Sequence, residues 1–192
     1  MTPATPEPWL RDSRGVKIDI LHPERTEVRI ADLADGLSRL CRFGGHMLPG
    51  VWFSVAAHSV LVSRIVPARL SVAGLVHDAA ESYLGADMPS PVKSLFPEYK
   101  ALERQWQEHV FASFGLALSA EDRAELKRAD RISYLVERRV LRAESCGSTA
   151  YWDALNMAGL EADAKRWTVW PSSPLDDKAA FEMRAIELGL AL

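Results

Sequence analysis

Residues 54–66, reading Ser-Val-Ala-Ala-His-Ser-Val-Leu-Val-Ser-Arg-Ile-Val, constrain the fold of this chain more than any other stretch. Val55, Ala56, Val60, Leu61, Val62 and Ile65 fall on most sides of a helix, and a helix that is apolar all round is stable only when other elements surround it. The stretch predicts a buried central helix, stopped by Pro67. The rest of the chain has to cover it, and helical patterns do follow. Leu70 to Leu84 places Val72, Ala73, Val76, Ala80 and Tyr83 near one stripe, with Gly85 as a stop signal. Beyond the Pro-rich loop 88–92, a helix from about Glu98 to Phe114 carries Leu102, Trp106, Val110 and Phe114 at intervals of four. Ser119 with Asp122 resembles a capping box and opens a long helix to about Ser145. Residues 146–175 are less regular, with Trp152, Trp167 and Trp170 as anchors, and a last helix runs from about Asp177 to Leu190. Trp52, Trp167 and Trp170 are read as packing residues.

The front of the chain differs. Residues 16–21 and 27–30 alternate apolar and polar on either side of His22-Pro-Glu-Arg25, which predicts a two-stranded hairpin. Asp32 then reads as an N-cap with Asp35 in the first turn, opening a short helix with Leu33, Leu37 and Leu40 on one face and an end near Gly44-Gly45. The expected fold is therefore mainly α with one small N-terminal β-hairpin. A length of 192 residues, 48% of them hydrophobic and 26% charged, suits a single domain and argues against disorder, collagen or coiled coil. Its expected parts are a loose arm at 1–14, the hairpin at 15–31, a helical core at 32–145, and an irregular segment plus C-terminal helix at 146–192.

Composition also limits function. The formal charge of −3 gives no global attraction to nucleic acid or to anionic membrane. Cys41 and Cys146 match neither a disulfide framework nor a zinc knuckle and read as thiols of a reducing cytosol. No stretch approaches the roughly 20 apolar residues of a membrane span, and the start lacks the charged and apolar regions of a signal peptide. The expectation is a cytoplasmic protein acting on a small molecule, with neither a nucleic-acid polymer nor a membrane as partner.

Five histidines occur, His22, His46, His58, His77 and His109. A lone histidine in an apolar helix is ordinarily a satisfied core residue, but here the neighbours matter. His77 is followed by Asp78 and then by Glu81, which puts three ionisable groups on one side of a segment otherwise made of Ala, Val and Leu. Burying them uncompensated would cost several kcal/mol, and a divalent cation is the simplest compensation. His58, in the central helix, is a natural further ligand. Asp130, in Arg128-Ala-Asp-Arg-Ile132, could close the shell, although spacing alone favours an exposed acid paired with a neighbouring Arg. His22 and His109 read as structural or surface residues.

Four ordered pieces, Ser38-Arg-Leu-Cys-Arg-Phe43, Ser54-Val-Ala-Ala-His-Ser59, His77-Asp-Ala-Ala-Glu81 and Met88-Pro-Ser-Pro-Val-Lys93, together with Asp130, resemble the HD-domain metal-dependent phosphohydrolases, and among them the small deoxynucleotidase-type branch. The resemblance covers about residues 30 to 145. It departs at one point: the family has Gly directly before the Asp of the Pro-rich loop, whereas here Ala86 separates Gly85 from Asp87. It implies an HD-type helical bundle, His58, His77, Asp78 and Asp130 as ligands of one divalent ion, and Glu81 as the residue that orients the attacking water or carries its proton. Two imidazoles with two carboxylates suit Mn²⁺, Co²⁺, Fe²⁺ or Zn²⁺ better than Mg²⁺. Arg42 and Lys93 are candidate phosphate-binding cations, Phe43 a candidate support for a sugar or base, and His46 and Asp87 further candidate substrate contacts.

The reaction implied is removal of the 5′ phosphate from a deoxynucleoside monophosphate. Its alternative is release of triphosphate from a dNTP, because the same water attacks the phosphorus next to the 5′ oxygen in both. Alarmone hydrolysis and a non-catalytic nucleotide-binding module are further alternatives. A cyclic-dinucleotide phosphodiesterase is disfavoured, since no Gly-Tyr-Pro follows a His-Asp pair. A homo-oligomer is expected of a domain with an irregular, Trp-containing segment to cover.

Overall fold

The computed structural model describes residues 7–142, 157 and 159–192. Strands β1 (Trp9–Arg11) and β2 (Lys17–Asp19) form an antiparallel hairpin with Leu10 opposite Ile18. Helix α1 (Ile30–Arg39) leads to a tight turn at Arg42–Gly45, and α2 (Val55–Ile65) follows. Two short helices come next, α3 (Ser71–Val76) and α4 (Ala80–Leu84), then one turn of helix, α5 (Ser90–Lys93). The long helices α6 (Pro97–Ser113) and α7 (Ala120–Leu141), a short helix Glu161–Ala164 and a C-terminal helix Pro174–Glu187 complete the described chain. The molecule is mainly α, as expected from the patterning. No helix among the described residues is long and apolar enough to cross a membrane.

Helix α2 is the centre. Its Ser54 side chain accepts the Ala57 N–H as an N-cap, which fixes where the helix starts. Val55, Ala56 and Val62 are wholly buried. Full burial of a side chain of Val size stabilises a fold by about 1.5–3 kcal/mol, and the cover comes from α1, α3, α7 and the C-terminal helix, all of which pack on α2. Helix α3 approaches α2 closely because Gly74 has no side chain: a Cβ there would lie 2.8 Å from Ser63 Cα. The Ser63 hydroxyl donates to the Ser71 carbonyl across this contact at 2.9 Å. Helix α7 begins with a complete capping box, Ser119 and Asp122 each bonding the other's backbone N–H.

Several expectations are corrected. The hairpin uses β1, drawn from the segment read as a loose arm, and residues 27–30 form no strand. The Asp12 carboxylate accepts the Arg14 and Val16 N–H groups at 2.9 and 2.7 Å, and Gly15 takes a positive φ of 80°, so the chain reverses directly after Arg11. The alternation at 27–30 has another origin: Val28 packs on the core and Ile30 is the first residue of α1. Helix α1 is capped at Arg29, with Asp32 inside its first turn, and it ends at Arg39, before the turn at Arg42–Gly45. The helix expected over Leu70–Leu84 is split in two. The C-terminal helix starts earlier than expected, at Pro174, because Ser173 caps it. Trp167 packs against the cluster around Phe53 and Ile132, whereas Trp170 is 74% exposed and does not pack: Val169 beside it takes the inward position. Cys146, Trp152 and the expected extension of α7 to Ser145 lie outside the described residues.

Candidate metal centre

Three elements bring the candidate ligands together. His58 lies in the middle of α2 with no exposed surface. His77 and Asp78 form the turn between α3 and α4, and Asp130 comes from α7. His58 Nε2 is 3.1 Å from His77 Nε2, 3.3 Å from Asp78 Oδ2 and 3.5 Å from Asp130 Oδ1. His77 Nε2 is 3.3 Å from Asp78 Oδ2. Donor atoms held 2.0–2.2 Å from one centre lie about 3.0–3.5 Å apart. His58, His77 and Asp130 form a group able to hold a metal ion, and Asp78 stands beside them at the same spacing.

Both imidazoles are oriented from behind. His58 Nδ1–H donates to Glu137 Oε1 at 2.5 Å, and Ser133 Oγ, which donates to the Asp130 carbonyl, lies 3.2 Å from the same nitrogen. His77 Nδ1–H donates to the Gly74 carbonyl at 2.9 Å. In each ring the hydrogen bond at Nδ1 turns Nε2 toward the centre, the arrangement that orients metal-binding imidazoles in general. Glu137 was missed in the sequence, although a signal existed. Asp130, Ser133 and Glu137 recur on one face of α7, so the acid seven positions after Asp130 belongs with it.

The charge balance favours a cation. Burial and the Arg42 guanidinium work against a charge on His58, but Glu137 and Asp78 outweigh them and raise its pKa to about 10. Burial would raise Asp78, yet the imidazoles of His77 and His58 hold its carboxyl well below the usual range. Burial lowers His77. Asp130 is lowered against its burial by Lys127 and His58. A pocket in which carboxylates crowd two imidazoles holds a positive charge strongly, whether a proton or a metal ion.

The remaining candidates lie around this centre. Glu81, in the first turn of α4, is 4% exposed; its Oε1 is 3.5 Å from Lys93 Nζ, and its Oε2 has no hydrogen-bond partner among the described residues. Burial, with Asp78 and Asp87 facing it, pushes the Glu81 carboxyl well above its ordinary pKa. Lys93, on α5, also pairs with Glu103. Arg42 is buried and held by two carboxylates, Glu137 at 3.2 Å and Asp87 at 3.3 Å. An antiparallel bridge between Cys41 and Ser54 ties its segment to the start of α2. Phe43 is the one non-glycine among the described residues with positive φ, 58°, and its ring meets Tyr134 edge-on at 5.8 Å. Such backbone strain collects at functional sites. His46, exposed, follows at the end of the turn, and Gly44 in that turn approaches Pro89 of the Asp87 loop. Glu81, Lys93, Arg42 and Asp87 thus adjoin the centre through Asp78 and Glu137, and Phe43 reaches it through Arg42, whereas no contact joins exposed His46 to it among the described residues. His22 lies on the surface near Glu7 and Asp19, where Arg25 already pairs with Asp19 at 2.7 Å. His109 bonds the Thr26 carbonyl at 2.9 Å and is structural.

No family model matches the chain. Two proteins are similar over most of their length. Uncharacterized protein YfdR of Escherichia coli is 35% identical over 150 residues, which span 78% of this chain and 78% of that protein. An uncharacterized protein of Rhodobacter capsulatus is 34% identical over 139 residues, spanning 67% of this chain and 70% of its own. Neither name assigns an activity, so the reading of function rests on the site. The chain belongs to the family that includes YfdR.

Proposed function

We propose that this protein is a metal-dependent phosphohydrolase of nucleotides, of the HD-domain kind that its motifs resemble, removing the 5′ phosphate from deoxynucleoside monophosphates. One observation carries the proposal: His58, His77, Asp78 and Asp130 place four donor atoms within 3.1–3.5 Å contacts, with buried, part-unpaired Glu81 close by. All four act as ligands in this reading, and nitrogen–oxygen donors of this kind take Mn²⁺, Co²⁺, Fe²⁺ or Zn²⁺. When bound, the ion polarises a phosphate oxygen and makes a nearby water more acidic.

The protein's own groups do the rest. As water oxygen bonds to phosphorus, Glu81 takes the water's proton, and it returns that proton to the 5′ oxygen as the phosphorus–oxygen bond breaks. A carboxyl with a raised pKa is suited to both halves of that transfer. Lys93 lies 3.5 Å from Glu81 and gives the developing phosphate charge a cation. Arg42, fixed by Glu137 and Asp87, links the ligand shell to the loop that faces the substrate. Phe43 would support the sugar or base and His46 would touch phosphate in this reading. Both cations already face carboxylates, Arg42 those of Glu137 and Asp87 and Lys93 those of Glu81 and Glu103.

Phosphate release from dNMP, NMP, dNTP and alarmone, with Mn²⁺ and with metal-free protein as control, tests this reading. The expected result is Mn²⁺-dependent release of inorganic phosphate from dNMP. Release of triphosphate from a dNTP would move the substrate to the alternative, and no release from any nucleotide would overturn the proposal.

A further inference from the structure

The turn that carries His77 and Asp78 is not produced by its own sequence, since Val76-His-Asp-Ala-Ala80 contains neither Gly nor Pro. Its cause lies on α6. The Gln107 side chain donates Nε2–H to the Val76 carbonyl at 2.8 Å and accepts the Ala80 N–H on Oε1 at 3.2 Å. In a continuous α-helix those two backbone groups would bond each other, residue 80 to residue 76. The amide therefore stands in the place of one helical hydrogen bond and wedges the helix open there. Around it the chain adopts tighter bonds, Ala79 N–H to Val76, Glu81 N–H to Asp78 and Ser82 N–H to Ala79, at 3.1–3.2 Å. With α3 ended at Val76, the Gly74 carbonyl accepts His77 Nδ1–H at 2.9 Å, the bond that aims Nε2 at the centre. Helix α6 is itself positioned by Trp106, which has no exposed surface and stacks on Tyr83 of α4 at 4.5 Å.

We infer that Gln107 is a positioning residue of the metal centre: its side-chain amide replaces one backbone hydrogen bond and so sets the geometry at which His77 and Asp78 meet His58. The inference rests on the reading of this cluster as a metal centre. It reaches a residue that touches none of the ligand side chains and that acts through the main chain alone.

The test is Mn²⁺ affinity of the full chain, by calorimetry, together with the melting temperature of the metal-free protein. Gln107→Met keeps the side-chain volume and offers no amide; Gln107→Asn keeps the amide but is too short to reach both backbone groups. Loss of a group that fixes the orientation of metal ligands weakens metal binding by roughly 10–100-fold, and at least a tenfold loss is expected in both variants, with the metal-free melting temperature little changed. Mn²⁺ affinity within threefold of wild type in either folded variant would overturn the inference. So would failure of both variants to fold, because Gln107 would then be a general strut. A wild-type chain that binds no Mn²⁺ would instead remove the metal-centre reading itself, and this inference with it.

Discussion

Helix α2 and the α3–α4 segment each contribute a histidine to the candidate centre from apolar sequence of similar composition, yet one is an unbroken helix and the other is broken at its histidine. In α2 the backbone bonds run through His58, and the side chain is aimed by Glu137 and Ser133 from α7. In α3–α4 the backbone itself opens, and His77 is aimed by the Gly74 carbonyl of its own chain. The two histidines are thus fixed by different means: one by side chains of another helix in a fully buried place, the other by local main chain. A histidine held by a buried carboxylate is coupled to core stability, whereas one held by its own backbone is coupled to helix geometry.

Replacing each histidine in turn tests this contrast with the largest expected effect. His58→Ala and His77→Ala should both abolish stoichiometric Mn²⁺ binding. Their cost in the metal-free protein should differ: about 3–5 kcal/mol for His58→Ala, which breaks a fully buried pair with Glu137, and about 1–2 kcal/mol for His77→Ala, which loses the hydrogen bond to the Gly74 carbonyl and a contact with the partly exposed Asp78 carboxylate. Urea denaturation in a chelator measures both, and equal costs would erase the distinction. Next in size is Glu81→Ala, just beyond the break. It should retain metal and KM while kcat falls 10²–10⁴-fold, roughly 3–5 kcal/mol of lost transition-state stabilisation. Loss of metal as complete as in His77→Ala would make Glu81 a ligand instead.

Glu137→Gln sharpens the α2 side. It keeps the shape but removes the charge that His58 Nδ1 faces, so Mn²⁺ should bind about 10–100-fold more weakly, with dNMP KM also raised because Arg42 loses a partner. Unchanged metal affinity would show that Ser133 suffices to orient the ring. The smallest effect concerns the packing that sets the two regions side by side. Gly74→Ala puts a methyl against the Ser63 backbone and should destabilise the fold by about 1–3 kcal/mol, read as a lower melting temperature with metal absent. No change in melting temperature would mean that α3 moves away from α2 freely.

Much of this was legible before the fold was known, and particular residues show why. Val55, Val60 and Val62 mark α2 as buried because apolarity on every side has few other outcomes. Ser119 and Asp122 mark the start of α7 because a capping box is a local bond pattern. His58, His77 and Asp78 stand out because ionisable groups in apolar helices need compensation, whereas Asp130, among Lys127, Arg128 and Arg131, is marked only by the family resemblance. Arg42 shows the limit. Its charge was visible, but its two partners, Glu137 ninety-five positions away and Asp87 forty-five away, were not. Trp170 shows another, since a large apolar side chain reads as core whether or not a surface exists to receive it.

The sequence by itself determined where the long helices lie, which of them must be central, and which ionisable residues are too costly to bury without a counter-ion. Those properties depend on residue type and on periods of three to four residues, which a linear chain displays. Only the tertiary structure decided the break at His77-Asp78 and the orientation of each imidazole. The break depends on Gln107 reaching Val76 and Ala80 from another helix, whereas the hairpin turn at Asp12 and Gly15 is local. A local stretch of Val, His, Asp and Ala has no preference strong enough to open a helix, so the outcome falls to whichever side chain the packed helices bring against it.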